Sequence, residues 1–169
     1  YKVLRGGVQV ATPTGTSWTD TGLTNGTTYS WTVVATNMAG DSAATAAVTA
    51  APAPPAPGAP TGLTATAGNA QVSLSWTAAT YATSYKVLRN GTQVGTPTGT
   101  SYTDTGLTNG TTYSWTVVAS NATGDSAATG AVSAMPKPPA PAAPTGLVAT
   151  AGNAQVSLSW TAATYATSY

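Results

Sequence analysis

Residues 1–84 lie on residues 85–168 without a gap, and the two stretches differ at 13 of 84 positions (6, 8, 11, 18, 36, 38, 39, 46, 49, 51, 53, 58 and 64), which leaves 71 identical. Tyr1, Tyr85 and Tyr169 are thus one residue of one motif, met at the start of two full periods and of a third. A fixed internal period marks an array of like modules, each forming one structural unit. The 169 residues hold about two domain equivalents. Cysteine is absent, so no disulfide framework staples the module and burial of a core has to hold it. The phase is unusual, because the chain opens within Tyr1-Lys2-Val3-Leu4-Arg5 and stops at the Tyr that begins the next such motif. That phase is expected of a window taken from a longer repeated chain.

Charge is sparse. Lys2, Arg5, Lys86, Arg89 and Lys137 stand against Asp20, Asp41, Asp104 and Asp125, a net of +1. There is no basic stripe to neutralise phosphates, so no nucleic-acid partner is expected. No run of about 18 apolar residues occurs, and no membrane-spanning helix is expected. The surface has to be built from Thr, Ser, Ala, Gly and Asn, which leaves little long-range repulsion between modules.

One complete period, from about Ala59 to Pro136, is bracketed by the proline-rich segments 52–60 and 136–144. Proline fixes φ, lacks an N–H donor and favours extended polyproline II, so both brackets read as semi-rigid linkers. Between them apolar residues alternate with polar ones. Leu63, Ala65 and Ala67 alternate with Thr64 and Thr66, and Val72, Leu74 and Trp76 with Gln71, Ser73 and Ser75, the pattern of half-buried strands. Gly68-Asn69 is expected to make the turn between them. Tyr85–Arg89 meets Thr92–Val94 across Asn90-Gly91, a dipeptide suited to a type I′ hairpin, with Gly6-Gly7 in its place in the first copy. After Tyr102 and Leu107, the row Tyr113, Trp115, Val117 and Ala119 forms a further strand. A loop over 121–126 then leads to a weak last strand ending near Val132.

Seven short strands without helical periodicity predict a β-sandwich over 61–134. Its expected core is Leu63, Val72, Leu74, Trp76, Tyr85, Val87, Tyr102, Leu107, Tyr113, Trp115, Val117 and Val132. The organisation that follows is part of a module over 1–51, a linker over 52–60, a complete module over 61–135, a linker over 136–144, and the first two strands of a further module over 145–169.

Ala59-Pro60-Thr61-Gly62-Leu63, Val72-x-Leu74-x-Trp76, Tyr85-Lys86-Val87, Leu107-Thr-Asn-Gly-Thr-Thr-Tyr113 and Asn121-x-x-Gly124-x-Ser126 together resemble a fibronectin type III domain over the whole module. The resemblance implies an all-β, immunoglobulin-like sandwich of seven strands, with Trp76 filling the core and Leu107 and Tyr113 forming a tyrosine corner. Asn109 stands where that family usually has Pro; Asn before Gly is also a good turn former. The Thr, Ala and Ser richness and the near-identical neighbours resemble bacterial secreted versions, found as spacers in polysaccharide-degrading enzymes and in long surface proteins.

Histidine, cysteine and glutamate are missing, so the usual general bases, zinc ligands and thiol nucleophiles cannot be assembled. Asp104 and Asp125 are the carboxylates of the complete module and read as solvated turn residues capping backbone N–H groups. They supply neither a catalytic pair nor the six or more oxygens that calcium takes. No catalytic, cofactor-binding or metal-ligating residue is expected. Ala39-Gly40-Asp41 and Thr123-Gly124-Asp125 sit where some family members carry an Arg-Gly-Asp adhesion tripeptide, but without its Arg they read as plain turns. Sequons occur at Asn25, Asn90, Asn109 and Asn121 within turns that favour these letters anyway. Trp76, Tyr85, Tyr102, Tyr113 and Trp115 are expected inside, leaving Tyr81 and its copy Tyr165 as the loop aromatics available for weak polysaccharide contact.

These readings converge on a non-catalytic segment of a long extracellular or cell-surface chain, acting as a spacer or fibre-forming unit whose partners are copies of itself. In the filament version, 144–160 of one unit covers the face left open by 1–50 of the next, inserting Val156, Leu158 and Trp160. The alternatives are spacer modules of a secreted polysaccharide-degrading enzyme, or the stalk of a surface adhesin.

Overall fold

A computed structural model describes residues 1–168; Tyr169, the first letter of the third period, lies outside them. The chain divides into two compact units, Tyr1–Pro55 and a second beginning at Ala56. Among the described residues the regular structure is all strand.

The first unit holds β1 (Lys2–Arg5), β2 (Val8–Ala11), β3 (Tyr29–Val34), β4 (Thr36–Asn37), β5 (Gly40–Asp41) and β6 (Val48–Ala50). Its main sheet runs β2-β1-β3-β6, with β4 and β5 forming a short ribbon.

The second unit opens with β7 (Thr61–Gly68) and β8 (Gln71–Thr77), followed by β9 (Ser84–Arg89) and β10 (Thr92–Gly95). Then come β11 (Ser101–Thr105), β12 (Tyr113–Asn121), β13 (Gly124–Ala128) and β14 (Val132–Ala134). One sheet is ordered β11-β8-β7 and the other β10-β9-β12-β13, with β14 also on β12. Joining β13 and β14 as one interrupted strand gives the seven-stranded sandwich that the resemblance implied. The hairpin of β15 (Thr145–Gly152) and β16 (Gln155–Thr161) follows.

Burial on β8 alternates strictly, with Val72, Leu74 and Trp76 inside and Gln71, Ser73, Ser75 and Thr77 outside. A half-buried strand requires that parity, and a one-residue slip would reverse it. This row packs on Tyr85 and Val87 of β9 and on Trp115, Val117 and Ala119 of β12, with Leu107 completing the buried cluster. The rings of Trp76 and Tyr85 meet edge to face with centroids 5.4 Å apart. Between β9 and β10 the turn residues Asn90 and Gly91 have φ of 49° and 80°, the left-handed pair that a type I′ turn needs.

Four expected core residues, Leu63, Tyr102, Tyr113 and Val132, are half-buried. Leu63, Tyr102 and Val132 lie on β7, β11 and β14 at sheet margins, where one flank lacks a neighbouring strand, and Tyr113 begins β12. The turn between β7 and β8 is Asn69-Ala70, one residue later than expected, because Ala70 takes the positive φ of 52° and Gly68 still pairs with Gln71. The expected 121–126 loop shrinks to Ala122-Thr123, since Asn121 pairs with Gly124. At the break in the last strand, Thr129 takes over the pairing: its N–H donates to Val117 O (2.9 Å) and its Oγ1 accepts from Val117 N–H (3.1 Å).

At one pole of the sandwich the β7–β8 turn, the corner at 107–110 and the start of the proline-rich segment are stitched together. Leu107 N–H donates to Ala70 O (3.0 Å), Gly110 N–H to Pro136 O (2.8 Å) and Lys137 N–H to Gly68 O (3.1 Å). Asn109 completes the seam, accepting from Ala70 N–H at Oδ1 (2.9 Å) and donating from Nδ2 to Asn69 Oδ1 (2.8 Å). Proline at 109 could make neither side-chain bond, so here the family's departure carries its own structural role. Pro136 is fully buried.

Two of the thirteen differences between the copies are coupled sterically. A methyl on Gly95 would sit 2.7 Å from Tyr102 Cζ, inside van der Waals contact, while the Tyr102 hydroxyl donates to Val94 O (2.7 Å). The first copy has Ala11 and Trp18 at these places. We expect Gly95→Ala to displace Tyr102 and cost about 1–3 kcal/mol of overpacking, and Tyr102→Trp in the same chain to recover part of that loss. Urea midpoints of the two single variants and the double variant check this; additive effects would deny the coupling.

Candidate functional site

Asp104 sits at the same parity on β11 as Tyr102, and this turns it inward. Its side chain is 5% exposed and accepts from Arg89 Nη1 at both oxygens (2.9 and 3.1 Å) and from Trp115 Nε1 (2.9 Å). The Arg89 guanidinium also lies over the Tyr113 ring, 5.7 Å from its centroid. Asp104 is therefore no solvated turn residue. Its charge is buried because a guanidinium and an indole N–H satisfy it, the condition under which burial of a carboxylate is tolerable. A carboxylate held by three hydrogen bonds from two donor groups and closed off from solvent is not placed to abstract a proton. The first copy repeats the cluster with Arg5, Asp20 and Trp31 at 3.1, 3.1 and 2.8 Å. Sequence reasoning missed this pairing, although the shared parity with Tyr102 and the single Arg in each copy were signals for it.

Asp125 lies at the start of β13, exposed, and accepts from Lys86 Nζ (2.5 Å) and from Ser120 Oγ (2.6 Å). The Lys86 ammonium first and the Ser120 hydroxyl second hold its carboxyl below the usual range. Asp41 is held down likewise by Lys2 (2.6 Å) and Thr36 (2.8 Å). The two Gly-Asp turns thus present carboxylates already engaged by their own strands. Asp104 and Asp125 lie on different sheets, and no group of three or more His, Cys, Asp or Glu that could hold a metal occurs among the described residues.

The tyrosine corner is in place: the Tyr113 hydroxyl accepts from Thr108 N–H (3.2 Å), a bond that favours the phenolate and lowers the Tyr113 pKa. Tyr29 repeats it on Thr24 (3.1 Å). Of the sequon residues, Asn90 Oδ1 accepts from Ser114 N–H (2.9 Å) and Asn121 Nδ2 donates to Tyr81 O (3.0 Å). Tyr81 and Tyr165 are exposed at 55% and 49%, both at positive φ, 65° and 67°. The Trp76 indole N–H, buried in the core, has no hydrogen-bond partner among the described residues.

The fibronectin type III domain profile matches residues 58–135. This segment belongs to the fibronectin type III family. Exoglucanase B of Cellulomonas fimi is 39% identical to the chain over 184 residues, spanning 97% of this chain and 17% of that protein. Chitinase A1 of Niallia circulans is 39% identical over 146 residues, 79% of this chain and 21% of that protein. A poly(3-hydroxybutyrate) depolymerase of Ralstonia pickettii is 54% identical over 79 residues, 46% of this chain and 16% of that protein. The chain spans about a fifth or less of the length of these relatives.

For the fibronectin type III module, Asp104→Ala should cost about 3 kcal/mol, because it leaves a guanidinium and a buried indole N–H without their acceptor. A lower urea midpoint of the second unit, followed by circular dichroism, would register it. At Asp125 the depressed carboxyl favours the folded state above its unfolded pKa, and that contribution is lost as pH falls through the folded value. Lys86→Ala should raise the Asp125 titration midpoint; carboxyl NMR titration of both chains reads the shift, and an unmoved midpoint would refute the assigned cause.

Proposed function

We propose that this chain is a run of non-catalytic fibronectin type III spacer modules from an extracellular polymer-degrading enzyme. The observation that carries the reading is the pattern of coverage. Nearly all of this chain aligns with a small share of exoglucanase B, and partial matches fall on a chitinase and a depolymerase named for a different polymer. A segment that recurs beside unlike chemistries is separate from any one of them. The carboxylates of the module support the same reading, since Asp104 is consumed by Arg89 and Trp115 and Asp125 by Lys86 and Ser120. The relatives favour this spacer role over the filament and the adhesin stalk. Substrates named for large polymers favour an extracellular setting.

The uncharged Thr, Ser and Ala surface suits a spacer, because it gives neighbouring modules and a charged or neutral polymer little to hold. Exposed Tyr81 supplies one ring on the complete module, less than the aromatic platform that flat sugar faces stack on.

The purified chain should release no product from glucan, chitin or poly(3-hydroxybutyrate), and should stay in the supernatant when each insoluble polymer is pelleted. Turnover that disappears in Asp104→Asn or Asp125→Asn would make it an enzyme instead. Depletion by one polymer, abolished by Tyr81→Ala, would make it a binding module.

A further inference from the structure

The pair Asn-Gly occurs at Asn25-Gly26, Asn90-Gly91 and Asn109-Gly110, each time followed by Thr. Such a pair carries chemistry of its own. The Gly nitrogen, once it has given its proton to hydroxide, attacks Cγ of the Asn side chain, and the new C–N bond closes a five-membered succinimide. The Cγ–Nδ2 bond breaks, and the nitrogen leaves as ammonia after taking a proton from water. A second water then opens the ring at either carbonyl, giving aspartate or isoaspartate. Glycine is the most permissive successor, because no Cβ crowds the attacking nitrogen or hinders its backbone rotation. With the same tripeptide at all these places, the fold decides which one reacts.

The fold closes two of these pairs. Gly26 N–H donates to Pro52 O and Gly110 N–H to Pro136 O, both at 2.8 Å, so each nucleophile is already engaged by an acceptor. Asn109 is also tied at both ends of its amide, by Ala70 N–H at Oδ1 and by Asn69 Oδ1 at Nδ2. Asn90 and Gly91 are different: both are exposed, and Gly91 N–H has no acceptor among the described residues, the hairpin's own pairing running from Arg89 to Thr92 across it. Space is open within 4 Å of where a Gly91 Cβ would stand, so the peptide plane carrying this N–H has room to turn toward Asn90 Cγ. Asn90 Oδ1 accepts from Ser114 N–H at 2.9 Å, which draws electron density away from Cγ, while Nδ2 has no partner among the described residues to hold it back.

We propose that Asn90-Gly91 is a site of spontaneous covalent modification in the folded protein, converting to aspartate and isoaspartate with water as co-reactant, while Asn25 and Asn109 are protected. Aspartate keeps an oxygen for Ser114 N–H. Isoaspartate adds a main-chain methylene to a two-residue turn and so opens the pairing of Arg89 with Thr92. The first copy has Gly6-Gly7 at this place and no side-chain amide to lose, so age makes two otherwise like hairpins unlike.

The test incubates the full chain at mildly alkaline pH in water enriched in heavy oxygen, once folded and once in guanidinium chloride. Peptide mass spectrometry then locates the label at each Asn-Gly pair. In denaturant all the pairs should convert at like rates, as their shared tripeptide requires. In the folded chain Asn90 should convert at least about tenfold faster than Asn25 or Asn109, because reaction there needs no hydrogen bond at the attacking nitrogen to open first. Asn90→Gly, which copies the first hairpin, should remove the folded-state label. Conversion of all the pairs at one rate in the folded chain, faster conversion at Asn25 or Asn109, or an Asn90 that stays intact when folded would overturn the proposal.

Discussion

Seating Val72, Leu74 and Trp76 of β8 on the β9–β12 face is the contact on which the module depends. Under that row Tyr85, Val87, Trp115, Val117 and Ala119 are buried, and β11 pairs along its other edge. Full burial of one such side chain is worth about 1.5–3 kcal/mol. Three of them are therefore a large share of a domain stability of about 5–15 kcal/mol. A sandwich of this size without disulfides has little else to draw on, so β8 acts as the keystone of the fold.

The polar cluster works on a different footing. Asp104 stands in the three-stranded sheet while Arg89 and Trp115 stand in the other, so its hydrogen bonds tether one sheet to the other across the edge of the core. That tether survives in the first unit, where Asp20 on an unpaired segment still reaches Arg5 and Trp31. Apolar burial decides how much stability the module has, and the charged pair decides where the segment carrying the aspartate lies. Groups of this sort do more for geometry than for net free energy, since desolvating them offsets much of their attraction.

Strand order and the inward rows of the module were legible because alternation is a local property of sequence. Val72-x-Leu74-x-Trp76 and Trp115-x-Val117-x-Ala119 announce their faces whatever they pack against. Partial burial of Leu63 and Tyr102 was not legible, because it depends on which strands end at a sheet margin, a fact of three dimensions. The role of Asp104 was half legible: its parity on β11 pointed inward, but the habit of reading a lone Asp as a turn residue prevailed. Asn109 was read as a permissive substitute for proline, and the two hydrogen bonds that make it useful cross to a turn about forty residues away. Composition, which lacks His, Cys and Glu altogether, left Asp as the one carboxylate to follow through the fold.

The near-identity of neighbouring copies bears on how such a chain folds. A β7–β8-type hairpin leaving the ribosome meets acceptor faces that differ from its proper one at few positions, chiefly Ala11 and Trp18 against Gly95 and Tyr102. Affinity then discriminates weakly between the right partner and a neighbouring repeat, the situation in which domain swapping and misassembly trouble repeat proteins. Sequential synthesis supplies the missing discrimination, because each hairpin finds the face made next in its own chain before others are within reach. Refolding from denaturant removes that ordering, and the polypeptide has to sort its repeats by chance.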